Sequence, residues 1–368
     1  MKIGIDTFGC GHGRSGIGSY FSSLVQKFQN TDEITFEMFG AEIDRYTYAR
    51  ENNLAFEPVI LPDNKKAEKI WHKFLCNHFG KKQKYDVMFF PAAANFLPSH
   101  FRIPSVAVVN DIVSNLFDLK TFLEKSSIVH SLKKVNKIIA ASNFIKKDLK
   151  KIGIKQDKIV VIHNGIDHSM FYQTDMLPNE FVEIKPFSVK RPYFIYSSTM
   201  SSPLKRHCEL IKAFDIFKKN TGLPHRLILA GSEGESFPEV KKTALESDFA
   251  SDIFLTGYFP HETFPALYAG AEACIFPSEI EGVGLPVLEA MATGVPVACS
   301  KEGALSEIAS DRAIFFDSKN LDEMSDAMEK IATDKKLRKK LIVEGLEWSK
   351  KFSWEKTAEK TLEVLKNL

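Results

Sequence analysis

Short, unbroken apolar runs recur along this chain, separated by stretches with helical spacing. A strand that is apolar on both faces must be covered on both, as a parallel strand inside an α/β layer is. In the first half the runs predict strands at Lys2–Asp6, Ile34–Phe39, Asp86–Phe90, Ser105–Asn110, Lys137–Ala141 and Ile159–His163. In the second half they predict Tyr193–Ser197, Arg226–Ala230, Asp252–Leu255, Ala273–Phe276, Val295–Cys299 and Ala313–Phe316. Helical patterns such as Leu204–Asn220 and Leu321–Ala332 lie between them. Parallel strands need crossover connections, so the expected fold class is α/β with two doubly wound units. The irregular stretch Gln173–Pro192, with Pro178, Pro186 and Pro192, is the expected linker. A last helix is expected over Ser353–Leu368, with Ser353 as its cap and Glu355 and Glu359 following.

A length of 368 residues suits two domains, each able to bury its own core. With 44% apolar and 26% charged residues, disorder, collagen and coiled coil are excluded. No apolar stretch approaches the ~20 residues that span a bilayer. The N-terminus reads as a strand, not a signal peptide, so the expected location is the cytoplasm. Cys10, Cys76, Cys208, Cys274 and Cys299 are odd in number and form no CxxC; they read as small buried hydrophobes in a reducing compartment. The net charge of +2 conceals an asymmetry: residues 1–175 hold 24 Lys/Arg against 18 Asp/Glu, and the remainder 25 against 29. One half is therefore suited to an anionic partner.

The densest chemistry lies in Pro277–Ala290, PSEIEGVGLPVLEA. A predicted strand ends at Phe276, a glycine-containing loop follows, and a helix opens with Pro286 in its first turn, where the missing N–H costs nothing. Backbone N–H groups at Gly282, Val283, Gly284 and Leu285 can converge on an anion or a sugar hydroxyl. Glu281 lies before the helix and Glu289 is expected inside its first turn. Two carboxylates beside an anion-binding turn suit a ligand with both phosphate and many hydroxyls. Equally, Glu281 can be a solvated loop residue and Glu289 a favourable charge at a helix N-terminus.

Glu281-x7-Glu289 resembles the signature of family 4 retaining glycosyltransferases with the GT-B fold. AASNFIKK (Ala140–Lys147), VIHNGID (Val161–Asp167), SPLKRHCELIKAF (Ser202–Phe214) and FSWEKTA (Phe352–Ala358) resemble further motifs of that family, in the same order. Leu227–Gly231, Gly257–Phe264 and Gly294–Ala298 continue the likeness. The resemblance implies two Rossmann-like domains facing across a cleft: residues 1–172, completed by the helix 353–368, on the acceptor side, and 173–350 binding the nucleotide sugar. It implies that Glu281 bonds donor-sugar hydroxyls, helped by the N–H groups of Gly282, Val283, Gly284 and Leu285. Glu289 would hold the ribose and Lys205 would neutralise the diphosphate.

Gly11-His-Gly13-Arg-Ser-Gly16 fits GxGxxG formally, but the glycines come too late after the first strand for a dinucleotide fingerprint. Ser15-Gly16-Ile17-Gly18 better resembles the family's glycine turn opening the first helix, with N–H groups toward the diphosphate and no Cβ at Gly16 or Gly18 to block approach.

Two positions depart from the family. Thr199 stands where members commonly carry an Arg, so one positive charge on the diphosphate is missing, with Arg206 and Arg14 as conceivable replacements. Val109-Asn110-Asp111 stands where many have a His-Asp pair; Asn110 can donate and accept but carries no proton. No Asp-x-Asp is present to hold a metal, so neither metal nor cofactor is expected beyond the co-substrate. No GxxxxGK[ST], HExxH or GxSxG occurs either.

Lys65–Lys84 holds seven lysines against one acid, Glu68, with Trp71, Phe74, Leu75 and Phe79 at helical spacing. Either that stripe packs on the core with solvated lysines outside, or the segment lies on an anionic membrane or meets an anionic glycan. No nucleic-acid module is present.

The expected activity is transfer of a hexose from a UDP- or GDP-type sugar to a glycan or lipid-linked acceptor, with retention, in polysaccharide biosynthesis. By resemblance the leaving diphosphate takes the acceptor proton, and the protein supplies position and electrostatics. The alternatives are a silent GT-B protein that binds a nucleotide sugar or a partner, and an epimerase of nucleotide sugars.

Overall fold

The computed structural model describes residues 1–13, 15–49, 53–62, 64–113, 122–174, 181–184 and 187–368. It divides into two units, Met1–Gly165 with Ser353–Leu368, and Ile166–Phe352. The first holds a seven-stranded sheet of β1 (Lys2–Asp6), β2 (Thr35–Gly40), β3 (Ala55–Pro58), β4 (Val87–Phe90), β5 (Ser105–Val109), β6 (Lys137–Ala140) and β7 (Ile159–Val161). All neighbours are parallel, in the order β3-β2-β1-β4-β5-β6-β7. The second unit opens with an antiparallel hairpin, β8 (Phe181–Ile184) and β9 (Phe187–Lys190). Six parallel strands follow: β10 (Tyr193–Ser197), β11 (Arg226–Ala230), β12 (Ile253–Gly257), β13 (Ala273–Phe276), β14 (Val297–Ser300) and β15 (Ile314–Phe316). Their order is β12-β11-β10-β13-β14-β15.

The central strands are covered on both faces: every residue of β4, β5, β10, β13 and β14 is buried. In the first unit one face packs Phe21, Leu24 and Val25 of the helix Gly16–Val25 with Phe28, Ile5 and Phe89. The other packs Phe8, Phe39, Trp71, Tyr85 and Phe90. Each such side chain contributes roughly 1.5–3 kcal/mol on burial. The helix Trp354–Lys366 belongs to this unit. Ser353 accepts from Lys356 N, Trp354 lies edge-on to Tyr20 at 5.7 Å, and Thr357 Oγ1 donates to the His163 carbonyl at 2.9 Å.

In both sheets the chain works outward from a founding strand, β1 or β10, then returns to its other side as β4 or β13. That reversal is the switch point, where loops at the carboxyl ends of the strands splay apart and ligands bind.

Three features depart from expectation. The chain changes unit at Gly165/Ile166 and not at 172/173, because Ile166 N donates to Phe352 O and buried Phe171 packs against Tyr268 within the second unit. The edge strand β3 adds to the expected set; it carries Glu57 and Pro58, with Ala55 exposed and the other three residues part-buried. The hairpin β8–β9 occupies part of the stretch read as irregular linker, of which 175–180 and 185–186 lie outside the described residues.

Candidate active site

In the second unit the loops after β10 and β13 flank the switch point, and they carry the candidate residues. Ser202 caps a short turn, Pro203–Lys205, whose last carbonyl accepts from Tyr196 Oη at 2.9 Å. Glu279 N donates to Leu204 O at 2.8 Å and ties the two loops together. Lys205 Nζ then donates to Glu281 Oε2 at 2.7 Å, both side chains about a fifth exposed. The structure thus joins two residues picked out separately in the sequence. Such a pair is a preformed cation–anion contact that a phosphate can enter from one side and a hydroxyl from the other.

Glu281 is seated by its own backbone. Its carbonyl accepts from Ala304 N at 2.8 Å. Gly303 lies beneath it at φ +65°, where a Cβ would fall 2.7 Å from the Glu281 carbonyl oxygen and 2.8 Å from its nitrogen. Gly284, at φ +76°, turns the loop into the helix Leu285–Ala292, with Pro286 in its first turn. Among the described residues, no backbone hydrogen bond is made by the N–H groups of Val283, Gly284 and Leu285, which open the helix.

Glu289 is the fifth residue of that helix and not in its first turn, so the helix dipole gives it little support. It is half-buried near the base of β13, and its charge adds to burial in raising the Tyr268 phenol and the Cys274 thiol.

Thr199 is exposed, its Oγ1 3.2 Å from Ser201 Oγ. The loop is backed by Gly231, where a Cβ would come within 2.0 Å of Ser198 O, and by Gly234 under Ser201. Arg206 does not supply the missing charge: its guanidinium is engaged by Glu209 and Glu279, and Lys319 also binds Glu279. The Lys319 hydrogen bond, with Arg206 behind it, holds the Glu279 carboxyl below its usual range. Arg14 lies outside the described residues.

In the first unit the loop after β1 turns through four left-handed residues, Gly9, Gly11, His12 and Gly13. Ser15 Oγ caps the helix, accepting from Gly18 N at 3.0 Å, while Gly18 itself presses on Cys10 O, 2.4 Å from where a Cβ would sit. The Gly18 N–H is therefore spent on the cap and its missing side chain on internal packing, contrary to the expectation of ligand approach. Gly16 does leave open space, with nothing within 4 Å of its Cβ position.

Three residues that sequence reasoning missed hold this loop. Tyr48 Oη accepts from Gly13 N at 2.6 Å and donates to Cys10 O at 3.2 Å. Buried Asp44 accepts from Thr7 Oγ1 at 2.6 Å and pairs with His12 Nδ1 at 2.7 Å. Burial raises the Asp44 carboxyl above its usual range. Only the glycine content of the loop hints at this in the sequence.

Asn110 follows β5, its amide oxygen and nitrogen buried and without a partner among the described residues. A buried amide with all its bonds unmade is a group open to a ligand. Asp111 beside it is exposed. The five cysteines are unpaired. Burial raises the thiols of Cys10, Cys76, Cys274 and Cys299, so none is a ready nucleophile.

Two doubly wound parallel sheets in one chain, with charged and glycine-turned loops at each switch point, define the GT-B fold. Sucrose-phosphate synthase from Thermosynechococcus elongatus superposes with TM-score 0.76 at 15% identity, over 100% of this chain and 98% of that one. HepE from Anabaena, solved with UDP and glucose, gives 0.76 at 15% identity, over 100% of both. Two family models match in succession, Glycosyltransferase Family 4 over residues 15–170 and Glycosyl transferases group 1 over 179–348. The chain belongs to the family 4 glycosyltransferases. O-antigen chain mannosyltransferase B of Escherichia coli is 30% identical over 257 residues. That match covers 68% of this chain but less than two thirds, 65%, of the relative's own length.

Proposed function

We propose that this protein is a retaining, metal-independent hexosyltransferase of polysaccharide biosynthesis. It moves a hexose from a UDP- or GDP-type sugar to a hydroxyl of a glycan or lipid-linked acceptor, in the cytoplasm, at the inner face of the membrane. The observation that carries this reading is the Lys205–Glu281 pair beside the N–H groups of Val283, Gly284 and Leu285. Lys205 and the helix N-terminus oppose the diphosphate charge that grows as the bond from the anomeric carbon to the phosphate oxygen breaks. Glu281, released from Lys205 by the incoming phosphate, accepts from sugar hydroxyls, and Glu289 accepts from the ribose. The further donor-site and catalytic candidates are Gly16, Gly18, Asn110 and Asp111 in the first unit and Thr199 in the second: Gly16 through the open space at its Cβ position, Gly18 by holding the turn, Asn110 through an amide without a partner among the described residues, and Asp111 and Thr199 through exposed side chains. The acceptor proton passes to the leaving diphosphate on the same face as the new bond. No cofactor is needed beyond the donor. The mannosyltransferase relative and the HepE complex with UDP and glucose support a nucleotide-sugar donor.

The test is a thermal-shift panel of UDP-, GDP- and ADP-sugars on wild type and Glu289→Ala, followed by turnover with acceptor. Ligand at 100 times its Kd stabilises by about 2.7 kcal/mol. One base class should stabilise the wild type and not the variant. A second reading, a silent nucleotide-sugar-binding protein, is favoured by the engaged Arg206, by Thr199 and by Asn110. Donor binding without any turnover would establish it and overturn the enzyme.

A further inference from the structure

The basic segment divides its apolar residues between two directions. Asn64 caps the helix Lys65–Phe74, accepting from Ala67 N at 2.8 Å. The inward face is fixed by buried Trp71 against Phe39 and by buried His72. His72 Nε2 lies 2.9 Å from Asp6 Oδ2, and its Nδ1 2.7 Å from Glu68 O. The chain then leaves regular helix at Leu75 before a second helix, Cys76–Lys82, whose Phe79 also packs inward. This locks Ile70 and Phe74, one turn apart, and Leu75 outward; they are 59%, 63% and 52% exposed. Ile60, in the segment leading to the helix, is 96% exposed. Lys66, Lys69 and Lys73 are exposed around the Ile70–Phe74 ridge, and Lys81, Lys82 and Lys84 are exposed beyond it.

A single exposed Leu or Phe is ordinary on a protein surface. Three within six positions, on an element whose other face is pinned, with lysines on both flanks and Glu68 as the only acid between Lys65 and Lys84, is a surface of different character. We propose that this face docks the first unit on an anionic lipid surface, Ile70, Phe74 and Leu75 entering the headgroup–acyl boundary and the lysines meeting lipid phosphates. Apolar insertion and cationic attraction are the two terms of interfacial binding, and lysine stems can extend so that their ammonium groups stay at headgroup level. An acidic protein would match the lysines but leaves the exposed apolar ridge without a reason; a second copy of the chain would cover the ridge and bring like charges together. The inference deepens the proposed function and rests on it for the lipid-linked acceptor, while its test reads binding alone.

The full chain is sedimented with vesicles of phosphatidylcholine, and with vesicles of phosphatidylcholine and phosphatidylglycerol in roughly equal parts. Wild type should bind the anionic vesicles at least about tenfold better than neutral ones, and less as salt rises. Lys66→Glu/Lys69→Glu/Lys73→Glu should lose on the order of 100-fold, since each surface lysine is worth roughly fivefold. Ile70→Ser/Phe74→Ser, at exposed positions that leave the core intact, should lose about tenfold or more at unchanged charge. The proposal is overturned if wild type does not prefer anionic vesicles, or if the serine variant binds as wild type does. It is also overturned if sedimentation velocity shows the ridge joining two copies with no vesicle binding. Nucleotide-sugar thermal shifts on the same proteins separate the two readings: a shift without vesicle binding refutes the docking face, and vesicle binding without a shift refutes the donor site.

Discussion

Acidification should unfold the second unit through two histidines. His207 and His225 are 3% and 5% exposed; the His225 ring nitrogens have no hydrogen-bond partner among the described residues, and the His207 ring has only the Ser198 backbone beside it. His207 lies against Tyr196 at 4.6 Å, and His225 stacks on Phe194 at 4.8 Å. Burial pushes both imidazoles down to about 4, Lys218 adding to the effect at His225. The folded value lies below the unfolded one, near 6.5, so between those pH values the unfolded chain takes up protons that the native state refuses. Stability is therefore complete above about 6.5 and is lost as pH falls toward 4. At pH 5, about 1.5 pH units below the unfolded pKa, proton uptake by the unfolded ring costs about 2 kcal/mol of stability for each histidine. The pair together costs about 4 kcal/mol, which for a unit of this size is on the order of 10 °C in Tm. Asp215, raised by burial, acts in the opposite sense and offsets part of the loss. The assay is thermal unfolding at pH 7 and pH 5 for wild type, His225→Phe and His207→Phe/His225→Phe. The single variant should halve the pH-dependent loss and the double variant remove most of it. If His225→Phe loses as much between pH 7 and 5 as wild type does, the reasoning is refuted.

Three other outcomes are expected. Lys205→Ala should lower kcat for transfer about 100-fold, as losing a preorganised charge at a developing oxyanion does elsewhere; steady-state kinetics with the donor found above checks it. Gly303→Ala forces a side chain into a left-handed backbone and against Glu281, so it should cost at least about 1 kcal/mol in folding and weaken nucleotide-sugar binding; calorimetric titration showing unchanged affinity would contradict the seat assigned to Gly303. Ser15→Ala should destabilise the first unit by about 1 kcal/mol through the lost cap on Gly18 N, read as a lower urea midpoint at constant m.

The sheet architecture was legible because burial on both faces writes itself into consecutive apolar residues. Strands such as Lys2–Asp6, Tyr193–Ser197, Arg226–Ala230 and Ala273–Phe276 run where the apolar runs place them. Where burial is partial the signal fades: β3, with Glu57 and Pro58, and the hairpin β8–β9 have no such run. The glycine and carboxylate motifs of the candidate site were legible for a related reason. In a doubly wound fold each site segment directly follows a strand, so local sequence carries it.

What the side chains touch was decided by tertiary structure. Lys205 meets Glu281 across 76 residues, and His12 meets Asp44 across 32, because sheet order brings their loops together. Spacing alone could not tell that Arg206 is held by Glu279, or that Gly18 packs against the Cys10 carbonyl. Nor could it divide Trp71 and Phe79 from Phe74 and Leu75, since one stripe at helical spacing is split by the break at Leu75. Periodicity records the conformation of neighbours along the chain. Which faces and charges then meet depends on the order in which the strands are laid side by side, and no single segment of sequence contains that order.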